Sequence, residues 1–389
     1  MIALGAIGLQ AQEVVDLPAE DRLLSSDLDL VYRIGSAAAG PDWEQFSAIR
    51  GLAFDAAGNL HVFDATGGPG GPARIVVVDA AGRYAGEFGG PGDGPGEFRM
   101  PRQMVVWADG RALVEDIMHM GYHVFGPGGD FERMVKGEAG RGMRPQRGPD
   151  PQTVVGASWH DSPAGMRPIL RFDLSSDQVK EETLVEAWAP RAPEDDAEDA
   201  EEWGFAPELL FDVLPSGGVA FSDSSAYAIK LTDPAGTVSR VLRRPLRPMP
   251  ATEAMRRAER ERRLEALRNR PGTITGQPSA EDMAFMNALI AADPAAVENM
   301  RFFSQVPVVA ALRTTWDGTL WVQRSTAPNA DAPGPIDILA PDGRYVGTLA
   351  SGLLAMPDAF GPDGLVAFID TDEFDVPVIT VRRIPVGIR

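Results

Sequence analysis

The chain contains no cysteine, which removes disulfides, thiolate metal sites and thiol nucleophiles together. Histidine is scarce, with four in 389 residues, so imidazole chemistry has few places to occur. Basic side chains are in deficit: 36 lysines and arginines face 56 aspartates and glutamates, for a formal charge of -20. A surface of that sign repels a phosphate backbone, which argues against nucleic-acid binding. Long apolar runs are missing as well, so no membrane span is expected. The short run IALGAIGLQA at residues 2–11 has the size of a secretory h-region, and residues 1–11 read as a signal peptide cleaved after Ala11. A secreted or periplasmic location follows, and the missing lipobox cysteine argues against a lipid anchor.

What is present repeats. GLAFDAAGNLHVFD (51–64) and RIVVVDAAGRYAGEF (74–88) are each two apolar strands around a D-x-x-G turn. In such a turn the Asp side chain caps the backbone and Gly takes the φ > 0 position. The unit recurs at 103–135, 208–242, 308–349 and, shortened, at 359–384, with an irregular third copy whose innermost strand falls near 141–147. Self-similarity at this period with four strands per unit predicts an all-β chain, a six-bladed β-propeller over residues 30–389. The sixth copy lacks an outermost strand, so the N-terminal segment LVYRIGS (30–36) is expected to close the last blade. The breaker-rich GGPGDGPGEFRMP (89–101) is read as a crossover between blades, with Phe98 as a plug.

These motifs, GNLHVFD, RIVVVD and GPGDGPGEFRMP, resemble those of the NHL-type repeats, and within them the exported bacterial six-bladed propellers. The likeness is good over 51–136 and partial over 208–245 and 306–385. It implies a ring around a central channel, which different members use for partner binding, lactone hydrolysis or lyase chemistry.

Residues 250–302 break the β pattern and predict a helical insertion between blades four and five. Its first helix would be capped by Thr252 and stopped at Pro271-Gly272, a second would follow Ser279, and a third would begin near Asp293. Helix and acidic run EDDAEDAEE (194–202) are expected on one face of the ring, forming a lid over the channel mouth.

By register, Asp64, Asp116, Asp161, Asp223 and Asp370 fall near the ends of second strands, with Arg324 in the sixth such position. An Asp there commonly holds its own loop through backbone N–H groups. Arg50 and Arg102, at the starts of inner strands, point toward the channel mouth and suit an anionic ligand. His119, His160 and a carboxylate such as Asp116 or Asp161 offer donors for a divalent metal, whereas His61 and His123 read as packed or surface histidines. Trp43, Trp188 and Trp203 are candidates for carbohydrate stacking, while Trp107 and Trp316 read as edge packing beside turns. No G-x-S-x-G elbow, Walker loop or H-E-x-x-H pair occurs. The first expectation is therefore a binding module for a protein, or a small anionic or carbohydrate ligand, at the top face, with no assured cofactor. A metal-assisted lyase or lactonase-like hydrolase in the channel is the competing one, and a structural scaffold is a third.

Overall fold

The computed structural model of the protein describes residues 12–25, 27–35, 40–66, 73–137, 142–158, 166–189, 203–268, 294–327, 330, 332–374 and 376–388. Six antiparallel sheets follow one another along the chain, each a meander from an inner to an outer strand. Blade 1 is Ile49–Phe54, Leu60–Ala65, Ala73–Val78 and Tyr84–Phe88. Blade 2 is Pro101–Val106, Ala112–Asp116, Gly121–Phe125 and Phe131–Lys136. Blade 3 is Gly142–Arg147, Thr153–Ser158, Met166–Asp173 and Lys180–Trp188. Blade 4 is Leu210–Val213, Val219–Ser222, Ala228–Thr232 and Val238–Arg243. Blade 5 is Val309–Thr314, Leu320–Arg324, Ile336–Leu339 and Tyr345–Leu349. Blade 6 takes Ala359–Phe360, Leu365–Thr371 and Pro377–Arg383 from the C-terminal part of the chain.

Blade 6 is completed by Asp29–Ile34, which pairs antiparallel with Pro377–Arg383. The N-terminal segment does more than the sequence suggests. Glu13–Asp16 adds a fifth, parallel strand to blade 4, and Leu23–Leu24 does the same for blade 5. One stretch of about twenty residues thus stitches three consecutive blades.

The core lies between blades rather than inside them, because both faces of every middle strand must be covered. Six apolar clusters each join two neighbours: Phe63 and Ile75 meet Val114 and Phe125 between blades 1 and 2, for example. The ring closes where Ile379 and Val381 of blade 6 meet Leu60 and Val62 of blade 1. The D-x-x-G turns form as the residues dictate. Asp55 Oδ1 accepts the N–H groups of Ala57 and Asn59, both at 2.9 Å, and Asp79 Oδ1 those of Ala81 and Arg83 at the same distance. Gly82 in the second turn has φ +82, and a Cβ there would sit 2.7 Å from the Tyr32 ring of the closing strand.

The insertion opens from a two-stranded neck, Met249–Pro250 against Gln305–Val306. It carries α1, Glu253–Arg268, and the short α2, Pro294–Glu298. Thr252 caps α1 by accepting the Met255 N–H at 3.3 Å. The second expected helix and the acidic run 194–202 lie outside the described residues. The insertion docks on the crossover entering blade 4: Phe205 packs on Phe302, Trp203 on Phe303, and the Arg260 guanidinium lies 4.8 Å from the Phe302 ring. Because the neck already brings Ala251 N within 2.9 Å of Ser304 O, deleting 252–300 should leave a ring that melts in one cooperative step by circular dichroism. Loss of cooperativity would make the insertion part of the core.

Candidate functional site

The interblade links and the loops joining second to third strands share one rim of the ring; the hairpin turns form the other. On the first rim, Asp64 Oδ1 accepts the Ser47 and Ala48 N–H groups at 2.8 Å, and its Oδ2 meets Arg74 Nε at 3.3 Å. Asp223 Oδ2 accepts from Trp188 N at 2.9 Å and Lys230 Nζ at 2.7 Å. Asp370 Oδ2 receives the Thr380 hydroxyl at 3.4 Å, and Arg324 pairs with Asp21 at 2.6 Å. Asp64 and Asp223 bind the chain that leads into their own blades, a role that needs no ligand. His160 and Asp161 lie outside the described residues.

The channel holds a different set. Its cavity of about 750 Å³ is walled by the inner strands of all six blades. Arg50 and Arg102 enter it from the second positions of their strands, and Arg147 and Arg313 from near the opposite ends of theirs. Among the described residues, none of these four guanidiniums has a hydrogen-bond or ion-pair partner. Arg147 instead lies over Trp316, its guanidinium carbon 3.6 Å from the ring centroid, across from its own blade. Trp316 is therefore a channel residue as well as a turn residue, since its Nε1 also donates to Phe360 O at 2.7 Å. Trp107, by contrast, is buried and donates to Thr153 O.

Burial, with Arg102 as a like-charged neighbour, lowers Arg50 below the ordinary arginine range. Burial also pushes Arg147 down to about 10, with Asp212 opposing. Two carboxylates share the wall. Asp212 is raised by burial against the pull of Arg313, while its Oδ2 accepts the Thr314 N–H of blade 5 at 2.7 Å. Asp358 is raised by burial, and the nearby Asp370 adds to the shift. The other acidic wall residues, Asp109 and Asp150, accept N–H groups within their own turns. The cavity thus presents guanidiniums in search of acceptors, in a chain whose overall charge is -20.

Arg147, Arg313, Asp212 and Asp358 are not singled out by sequence reasoning. A usable signal existed for two of them: Asp212 and Arg313 each stand five residues before the turn glycine of their hairpin, Gly217 and Gly318, so register alone aligns them.

A third grouping sits on the rim of blade 2. Asp116, His119 and His123 place one donor atom each within 4.8 Å of one another. His123, read from the sequence as packed or at the surface, is buried and takes the place beside His119. Burial pushes its imidazole down to about 4, with Asp116 opposing and His119 adding, so it is neutral at neutral pH. His61 is also buried and lies 3.7 Å from Asp55, far from this group in register. The aromatic candidates are divided: Trp43 tilts against Tyr84, Trp203 packs on Phe303, and Trp188 is half exposed at the end of blade 3.

The chain is similar in fold to two solved proteins. One, from Bacteroides fragilis and described as exported, matches with TM-score 0.52 at 11% identity, over 96% of this chain and 99% of its own. The other, a Bacteroides vulgatus member of the DUF4221 family, matches with TM-score 0.51 at 12% identity, over 92% and 98%. No protein-family model matches the sequence, and no curated protein sequence does. At such identities the likeness carries architecture, a six-bladed propeller, and no activity. The likeness to NHL-type repeats rests on the motifs named above.

Proposed function

We propose that the protein is an exported propeller that binds a small anionic ligand, carboxylate or phosphate in kind, inside its channel. The carrying observation is the set of four guanidiniums that face the cavity with no partner among the described residues. A guanidinium is a planar fork made for bidentate oxyanion contacts, and several of them without a protein acceptor around one cavity give an incoming oxyanion charge-assisted donors to bind. The contact of Arg147 with the Trp316 ring restrains one guanidinium, which reduces what binding must order. Export is supported by the apolar stretch at 2–11 and by the described export of the Bacteroides fragilis protein of the same fold.

Titration calorimetry with citrate and inorganic phosphate as probe anions tests this. Binding should weaken with added salt, and Arg147→Ala and Arg313→Ala should each reduce affinity at least about tenfold, as expected for losing a charged hydrogen bond. Asp358→Asn should act the other way. Because burial holds Asp358 above the ordinary carboxylate range, its negative charge is lost before that of unshifted carboxylates as the pH falls, which should tighten anion binding in the parent but less so in Asp358→Asn. Equal affinity in parent and both arginine variants would discard the reading.

A further inference from the structure

We propose that Asp116, His119 and His123 form a binding site for a zinc-type transition-metal dication on the rim of blade 2, separate from the channel. The donor spacing is the first argument. His119 Nδ1 lies 3.1 Å from His123 Nε2 and 3.4 Å from Asp116 Oδ2. Ligands bound tetrahedrally at zinc distances stand about 3.3–3.5 Å apart, so two of the three donor separations are close to those of such a site and the third lies within 4.8 Å.

The frame that holds them is the second argument. Asp116 ends the second strand of blade 2 and pairs with Gly121, and His123 lies two residues further along the third strand, opposite Val114. His119 projects from the turn between, which closes through Met120 N to Ile117 O at 3.1 Å. The Asp116 carboxylate is fixed by four backbone N–H groups, those of Met118 and His119 on Oδ1, that of Arg99 on Oδ2, and that of Met100 shared by both. Oδ2, with one whole donor and one shared at 3.2 Å, is the less fully engaged of the two oxygens, and it is the one that faces His119.

Chemistry is the third. The His123 ring is 3% exposed and its Nδ1 has no partner; its other nitrogen faces only the His119 nitrogen. Two imidazole nitrogens at that distance can share a single proton between them, whereas a metal ion satisfies both lone pairs. On the far side of His119, Nε2 lies 3.6 Å from Asp93 Oδ1, the outer carboxylate that commonly orients a ligating imidazole. Two imidazoles and one carboxylate favour zinc, copper or nickel over calcium or magnesium, which prefer all-oxygen sets. His119 is part-exposed and Met120 beyond it is 70% exposed, so a fourth position is open to water, as in zinc sites that keep one ligand exchangeable.

The test uses the full chain without an affinity tag, stripped with chelator and titrated with zinc under a competing indicator. Equimolar zinc should bind, raise the melting temperature, and be replaced by cobalt with the intense visible bands of a tetrahedral ion. His119→Ala and His123→Ala should each weaken zinc at least about 100-fold, more than loss of an outer-shell partner costs, and abolish the zinc-induced rise in melting temperature. His119→Ala removes a half-buried ring from a turn and is expected to melt near the parent temperature without metal, so its loss of zinc response reads coordination rather than folding. Absence of stoichiometric zinc in the parent, or unchanged affinity in both variants, overturns the site.

Discussion

Replacing Arg244 with methionine should destabilise the protein by about 3–5 kcal/mol, the usual result of removing one partner from a buried charge pair. Arg244 follows the outer strand of blade 4, and its side chain is fully buried. It donates to Asp337 Oδ2 at 2.8 Å, to Asp21 Oδ1 at 3.0 Å, and to the carbonyls of Pro18, Ala19 and Glu20, and its guanidinium lies over the Tyr345 ring at 4.6 Å. Asp337, on the third strand of blade 5, also accepts the Thr348 hydroxyl at 2.7 Å. One guanidinium therefore ties blade 4, blade 5 and the N-terminal strap, and without it a buried carboxylate is left short of its counter-charge. Urea denaturation followed by tryptophan fluorescence measures the loss, and the melting temperature should fall by roughly 4–6 °C. Arg244→Met combined with Asp337→Leu should recover much of it, because the cost lies in the stranded charge. A single variant within about 1 kcal/mol of the parent would show that the strap does not depend on this contact, an outcome outside the range for buried pairs.

The same network sets an acid limit. Burial works against ionisation of Asp21, but Arg324 and Arg244 prevail and hold its carboxyl below the ordinary range. A carboxyl depressed in the folded state contributes stability that is complete above its unfolded value of about 4 and disappears as the pH falls through the folded value. The parent should therefore lose stability below about pH 4 more steeply than Arg244→Met does.

How far the sequence could be read follows from which interactions are local. Asp55 and Gly58 announce their turn because capping and positive φ are properties of four residues. Phe98 and Thr252 likewise sit where the crossover and the helix cap require them. The strap was half legible: Asp29–Ile34 was implied by a blade short of one strand, but Glu13–Asp16 and Leu23–Leu24 pair in parallel with strands over two hundred residues away, and nothing in EVVD or LL encodes that partner. The channel was less legible still. Inner strands face water in the channel, so polar residues such as Arg313 and Asp212 break no alternation, and GMRPQR of blade 3 carries a proline that hides it as a strand. His123 was obscured by the apolar YHVF around it; only strand pairing brings it beside His119.

Removing residues 12–35 should have the largest effect on the ring, because it undoes every contact of the strap at once. Pro377–Arg383 would then become a bare sheet edge carrying Val378, Ile379 and Val381, each at most 1% exposed in the intact protein, and such an edge invites pairing with another chain. Leu17, Leu28, Tyr32 and Ile34 would leave the clusters at three successive interblade seams. Their burial alone is worth at least about 6 kcal/mol together, a large part of the 5–15 kcal/mol that holds an average domain folded. The truncated chain should lose its cooperative melt and elute from size exclusion as aggregate, and a synthetic peptide of residues 12–35 added during refolding should restore monomer and melt together. Were the truncated protein to melt cooperatively within a few degrees of the parent, closure would have to come from the blade 6 to blade 1 packing of Leu60, Val62, Ile379 and Val381 alone, and the strap would be an addition to a ring already shut.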